Sequence, residues 1–240
     1  MGGRGVQWAT SRVVGAVVAV ALAACSPLPT TVASKPLAPI ARGEVRRIAV
    51  LPFTTVALAP DREATELGAE PRTESPGDTV TRAVVTAMRE QAQWVIVDDM
   101  IVGEAIRQVS GELRPPTADE ARSIAKVLRV DAVLRGDVRI FEERIGTELA
   151  AKRPARVAFA VELLRAPDGT GIWQGEYAER QQSLSENLWN LPGFVRAGGT
   201  WVRAGELAEI GAAQIVTRLQ TALYGSPPPR RSGTKKTSAK

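Results

Sequence analysis

Apolar positions along this chain switch between continuous runs, a period of 3.6 and strict alternation, and each pattern names an element. Residues 13–24 form an apolar stretch behind Arg4 and Arg12. Residues 48–51 are a short apolar run after Arg46 and Arg47, stopped by Pro52, which predicts a buried strand. Val80, Val84, Ala87 and Met88 recur on one helical face behind Asp78 as N-cap, with Arg82, Arg89 and Glu90 toward water. A second apolar strand is predicted over residues 94–97. Strand, amphipathic helix and strand in that order predict a right-handed βαβ unit. Asp98 or Asp99 next caps a helix carrying Ile101, Ala105, Ile106 and Val109 and closed by Gly111. Pro115 and Pro116 break the chain, and Thr117 with Glu120 has capping-box spacing ahead of Ala121, Ile124, Ala125 and Leu128.

The second half changes period. Residues 131–142 place Ala132, Val133 and Leu134 before Gly136 and then alternate Val138 and Ile140 with charges, which predicts a strand kinked at the glycine. After a polar stretch to Pro154, Val157, Phe159, Val161 and Leu163 alternate, Asp168 and Gly169 turn the chain, and Ile172, Trp173 and Tyr177 return it as a hairpin. Leu207, Ile210, Ile215, Leu219 and Leu223 predict a closing amphipathic helix ending at Gly225. Residues 54–77 lack a convincing period and read as a long loop, either a partner-contacting flap or a passive insertion. The fold class is therefore α/β (α+β), with two or three layers and a mixed sheet of about five strands. Its βαβ unit comes first, its hairpin later, and a C-terminal amphipathic helix closes it. Four segments follow: residues 1–24 as a removable signal, 25–43 as a cysteine and Pro-rich tether, 44–224 as one domain, and 225–240 as a disordered basic tail.

Charge alters this picture in one respect. The chain has 240 residues and a formal charge of +5, but Arg230, Arg231, Lys235, Lys236 and Lys240 all lie in the tail. Residues 44–224 hold 22 Lys and Arg against 26 Asp and Glu, a net −4, so the body offers no general basic field and a nucleic-acid partner is disfavoured. Histidine is absent and Cys25 is the only cysteine. Imidazole acid/base catalysis, Ser-His-Asp and Cys-His nucleophiles, His/Cys zinc sites and disulfides thus lack their residues, and no phosphate-cradling glycine motif is present. No catalytic residue, metal or free cofactor is expected. Carboxylate chemistry alone survives, with Glu142, Glu143, Glu176 and Glu179 as the acids available to it.

Leu22, Ala23, Ala24 and Cys25, behind the positive end and the twelve-residue apolar run, resemble a bacterial lipoprotein signal. The run is shorter than the roughly 20 residues a spanning helix needs. The resemblance implies a diacylglyceryl group on the Cys25 thiol, removal of residues 1–24 and an acyl chain on the new amino terminus. Membrane lipid would be the first partner. Ser26 resembles the residue that, in enterobacterial lipoproteins, goes with export to the outer membrane, which implies the periplasmic face of that membrane.

The segments around residues 47–53, 94–100 and 121–138, with the series Val130, Asp131, Ala132, Val133, Leu134, Arg135, Gly136, resemble a group of envelope α/β modules. That group includes the curli-secretion lipoprotein, the lipoprotein activators of penicillin-binding proteins and the amino-terminal domain of the Tol-system propeller protein. The resemblance covers roughly residues 45–182 and implies a binding or assembly role, accessory to an envelope complex of cell-wall synthesis or secretion. Residues 144–156 are short and mostly polar, so a curli-type pore is disfavoured. Trp189, Phe194 and Trp201 are candidate partner contacts, with sealing of the sheet against the closing helix as the alternative. The basic tail is a candidate contact to peptidoglycan or anionic lipid. Two other functions stay open: a carboxylate-dependent envelope hydrolase and a ring-forming subunit of a secretion machine.

Overall fold

Backbone pairing and helix capping account for where each element begins. The computed structural model describes residues 31–56, 74–146, 151–180 and 201–225. In chain order the elements are β1 (Thr31–Pro36), β2 (Arg47–Val50), β3 (Thr54–Thr55), α1 (Pro76–Arg89), β4 (Val95–Ile96), α2 (Asp99–Ser110) and α3 (Ala118–Leu128). They continue with β5 (Ala132–Glu142), β6 (Ile145–Gly146), β7 (Ala151–Arg153), β8 (Arg156–Arg165), β9 (Gly171–Arg180) and α4 (Ala204–Tyr224). The main sheet runs β1-β9-β8-β5-β2-β4, with β3 also on β5, while β6 and β7 pair separately. β2 lies parallel to β4 and β5, whereas β5, β8, β9 and β1 are antiparallel in turn.

The sheet is mixed, as expected, but seven-stranded rather than about five-stranded. The additional strands are β1 and β3. Thr31–Pro36, read as part of a free tether, is instead the outer edge strand on β9. Edge pairing draws on backbone groups and tolerates the proline at its end, so no side-chain period announces it.

Helices cover both faces of the parallel half. Ile48, Val50, Ala132 and Leu134 pack under α1 and α4 together with the β8 and β9 residues Val157, Phe159, Val161, Leu163, Ile172, Trp173 and Tyr177. On the opposite face Ala49, Leu51 and Val133 meet Val102, Ala105 and Ile106 of α2 and Ala121, Ile124, Ala125 and Leu128 of α3. A strand buried on both faces needs a continuous apolar run, and residues 48–51 supply it.

Three expectations shift by a residue or more. Ser75, not Asp78, caps α1: its hydroxyl accepts from the Asp78 N–H at 3.1 Å, and Pro76 occupies the first turn, where its missing N–H costs nothing. The break in β5 falls at Arg139, between Val138 and Ile140, rather than at Gly136. Gly136 is demanded by contact instead, since a Cβ there would sit 2.5 Å from the Ala160 carbonyl oxygen and strike the Phe53 ring. Ile101 and Ile210, assigned to inward stripes, are exposed. Ala105 and Ile106 are buried and Val109 packs beside them as expected, while Val102 takes the inward place assigned to Ile101.

The capping box of α3 is present in full. Glu120 Oε2 accepts from the Thr117 N–H at 2.7 Å, the Glu120 N–H donates to Thr117 Oγ1 at 3.3 Å, and Arg114 Nη2 reaches Glu120 Oε1 at 2.6 Å. The Arg114 guanidinium, then the Thr117 N–H, pull the Glu120 pKa down from 4.5 to about 2. A lowered folded-state pKa stabilises above the unfolded value and is lost as pH falls through the folded one. Glu120→Gln is therefore expected to lower stability at pH 7 and to flatten the acid limb between about pH 4.5 and 2, read by urea melts across that range.

The body has two distinct ends. At the end where β6 and β7 lie, Glu143 Oε2 accepts from Ala204 N–H at 3.2 Å, tying the segment before β6 to the start of α4. At the opposite end the Tyr224 hydroxyl donates to the Val45 carbonyl at 2.5 Å, and Asp131 Oδ2 accepts from the N–H groups of Arg46 and Arg47 at 2.9 and 2.8 Å.

Candidate functional site

Helix capping turns apolar side chains outward at the free β4 edge. Asp98 Oδ1 accepts from the Met100 N–H at 2.9 Å, and Asp99 binds Arg89 at 3.0 Å, which fixes the first turn of α2. With Val102, Ala105 and Ile106 facing the sheet, Met100 and Ile101 must face water, and they are 81% and 53% exposed. Val95 on β4 and Val127 on α3 are 63% and 44% exposed. Met100, Ile101, Glu104, Ala105, Gln108, Val127, Leu128 and Arg47 line a shallow groove of about 500 Å³, and Arg47 is the register partner of Val95.

Among the described residues no strand pairs with the outer side of β4. The N–H groups of Val95 and Val97 donate to the carbonyls of Arg46 and Ile48 at 2.7 and 3.0 Å. In a parallel ladder alternate residues point to opposite sides, so Ile96 directs its backbone groups away from β2. Apolar side chains rimmed by Arg47, Glu104 and Gln108 beside a strand whose outer side is unpaired among the described residues have the composition of a protein-binding surface.

The four glutamates singled out for carboxylate chemistry serve other ends. Glu143 caps α4, Glu142 lies 3.7 Å from Arg156, Glu176 accepts from Gln174 at 3.2 Å and from Arg139 at 3.4 Å, and Glu179 accepts from the Tyr177 hydroxyl at 2.6 Å. Burial, then the Glu179 charge, pushes the Tyr177 phenol far up, so that hydroxyl stays a donor. On the face of β5 and β8 left open by α2 and α3, a cleft of about 320 Å³ holds two further acids. Each meets an arginine: Glu162 with Arg135 at 2.7 Å, Asp137 with Arg139 at 2.8 Å. Among the described residues no group of three or more His, Cys, Asp or Glu is placed to hold a metal ion.

A larger cleft of about 490 Å³ opens where β2 ends, between Phe53, Asp78, Thr81, Val102 and Arg114. Trp201 is half-buried just before α4, its carbonyl accepting from Arg144. Cys25, Trp189 and Phe194 lie outside the described residues. Among the described residues no helix is long and apolar enough to cross a membrane.

No protein-family model matches the chain, and no curated protein matches it. Solved structures do. The PelC dodecamer of Paraburkholderia phytofirmans is similar at 13% identity over 83% of this chain and 100% of that one, with a TM-score of 0.46. Lipoprotein GNA1162 of Neisseria meningitidis is similar at 20% identity over 64% and 95%, TM-score 0.41. Escherichia coli LpoB is similar at 14% identity over 71% and 85%, TM-score 0.39. All three likenesses are at low sequence identity. Such likeness concerns the fold and leaves partner and chemistry to the residues themselves.

Proposed function

We propose that this chain is a lipid-anchored accessory protein of the bacterial envelope. A diacylglyceryl group and an amino-terminal acyl chain on Cys25 fasten it to the periplasmic face of the outer membrane, and its body binds another envelope protein. The observation that carries the binding role is the exposed apolar group Val95, Met100, Ile101 and Val127 along β4, the last strand of the sheet among the described residues. Large exposed apolar side chains gathered at one place favour a partner over water. The arginine-bound acids of the open sheet face and the capping role of Glu143 support binding over hydrolysis, since catalytic carboxylates must be free to exchange protons with a substrate.

The test is a double exchange, Met100→Glu with Ile101→Glu, in the full chain. Acidic residues suit the first turn of a helix, so α2 is expected to stay folded with an unchanged melting temperature. Recovery of the wild-type partner after in-cell crosslinking and detergent extraction is expected to fall at least ~10-fold, equivalent to ~1.4 kcal/mol. Equal recovery by the variant would remove this edge as the binding surface. Mass measurement of the extracted assembly separates a hetero-complex from a ring of identical subunits.

A further inference from the structure

The groove beside β4 has a shape and a charge that select its occupant. Ile101, Glu104, Ala105 and Gln108 of α2 form one wall at intervals of three and four residues, the spacing of one helical face. From Met100 to Gln108 that wall runs ~12 Å at about 1.5 Å per residue, roughly two helical turns. Val127 and Leu128 of α3 and Arg47 of β2 complete the groove, and the buried Ala105 and Leu128 form its floor. A recess between two helices takes a convex ridge, whereas a flat bilayer cannot follow it to the floor. Strand addition is poorly served, because β4 has two residues and only Ile96 turns its backbone N–H and carbonyl away from β2. A helix of about two turns with apolar side chains at i, i+4 and i+7 matches the recess in length and in character.

Charge fixes the rest of the occupant's chemistry. Among the residues that line the groove or adjoin a lining residue in sequence, Arg46, Arg47, Arg107, Lys126 and Arg129 are cationic, and Asp99 and Glu104 are acidic. Five against two leaves +3 here, where residues 44–224 as a whole carry −4. Both acids are already engaged, Asp99 with Arg89 at 3.0 Å and Glu104 with Arg107 at 2.8 Å. Arg47, Lys126 and Arg129 are exposed, and none of the ion pairs among the described residues includes them. A twofold pair made through this groove would set its positive charge against an identical one, which disfavours a second copy there. We propose that the groove receives an acidic amphipathic helix of the partner protein, with its apolar face on Met100, Ile101 and Val127 and its carboxylates meeting Arg47 at the rim. The inference rests on the reading of the β4 edge as the binding surface and names what that surface selects.

The test uses the full chain in detergent and three fluorescein-labelled peptides of about 16 residues, long enough for a few helical turns. All three hold the same leucines on an alanine and glutamine background. Two place them at helical spacing and carry either glutamates or lysines beside them; the third carries the glutamates but alternates its leucines, as a strand would. By fluorescence anisotropy the helical glutamate peptide is expected to bind about fivefold tighter than the lysine peptide, the gain of one well-placed ion pair at a surface. The preference is expected to vanish in Arg47→Gln and to invert in Arg47→Glu. Asp131 holds the N–H groups of Arg46 and Arg47 by backbone bonds that both exchanges keep, and a melting curve checks that the fold is retained. Equal binding of the lysine peptide by the wild type, a preference unchanged in Arg47→Glu, or tightest binding of the alternating peptide would overturn the inference. So would binding of none of the three, or displacement of the glutamate peptide by submicellar short-chain phosphatidylglycerol. If partner recovery still falls in Met100→Glu with Ile101→Glu, such a result leaves the edge reading standing; undiminished recovery in that variant removes both.

Discussion

Replacing Cys25 by serine is expected to leave residues 1–24 attached, to abolish the added acyl mass and to clear the protein from the outer-membrane fraction. The chain contains no second sulfhydryl that could substitute. Sulfur accepts the diacylglyceryl group because thiols yield a strong nucleophile near neutral pH, which a serine hydroxyl does not. The anchor is expected to be all-or-none: buried methylenes contribute about 0.8 kcal/mol each, and stable attachment takes more than one acyl chain. Intact mass and density-gradient fractionation read both effects. A variant that still co-fractionates with the outer membrane and lacks acyl mass would show that something other than Cys25 holds the protein there.

The largest loss of stability is expected from Trp173→Ala. Trp173 is 1% exposed and lies over Gly175, where a Cβ would strike its ring and come within 3.1 Å of Ile215 on α4. Two strand positions on, Tyr177 fits beneath Gly211 of α4, where a Cβ would lie 2.5 Å from the ring, and stacks on Phe159 at 5.3 Å between centroids. The glycines thus let α4 approach the two aromatic rings, and the rings fill the space between α4 and β9. Removing the indole leaves a void too deep for the sheet to close, at ~3–5 kcal/mol. That is a large share of the ~5–15 kcal/mol that holds a domain folded. At roughly 2–4 °C per kcal/mol for a domain of this size, the melting temperature is expected to fall on the order of 10 °C, measurable by circular dichroism. A shift under about 2 °C would mean that the indole is not a core residue.

How much of this could be read from the sequence depends on the range over which each interaction acts. The Thr117–Glu120 box and the Asp98 and Gly111 caps act within a turn, and each was recoverable from adjacent residues. The β8–β9 hairpin was equally plain, since alternation and the Gly169 turn at φ 72° belong to one short stretch. Only the first inward place of α2 is ambiguous in the sequence, because residues 101 and 102 are both apolar, and docking on the sheet selects Val102. That same surplus of apolar residues was the available sign of the exposed edge: Met100 and Ile101 are more than one buried face can hold. Their exposure follows from β4 ending the sheet, a fact of topology rather than of local pattern. β1 was hidden for a related reason, as its partner among the described residues lies about 140 residues downstream and the pairing is made by backbone.

The antiparallel register of β1 on β9 also has a mechanical side. Six residue pairs, Thr31–Ala178 to Pro36–Trp173, bind the strand that follows the proposed anchor in sequence. A pull between the membrane and a partner held elsewhere on the body runs along that strand, so its interstrand hydrogen bonds share the load in shear rather than opening one after another as a zipper would. Antiparallel pairing along the whole of β1 would let a membrane leash bear force without peeling the domain from its own edge.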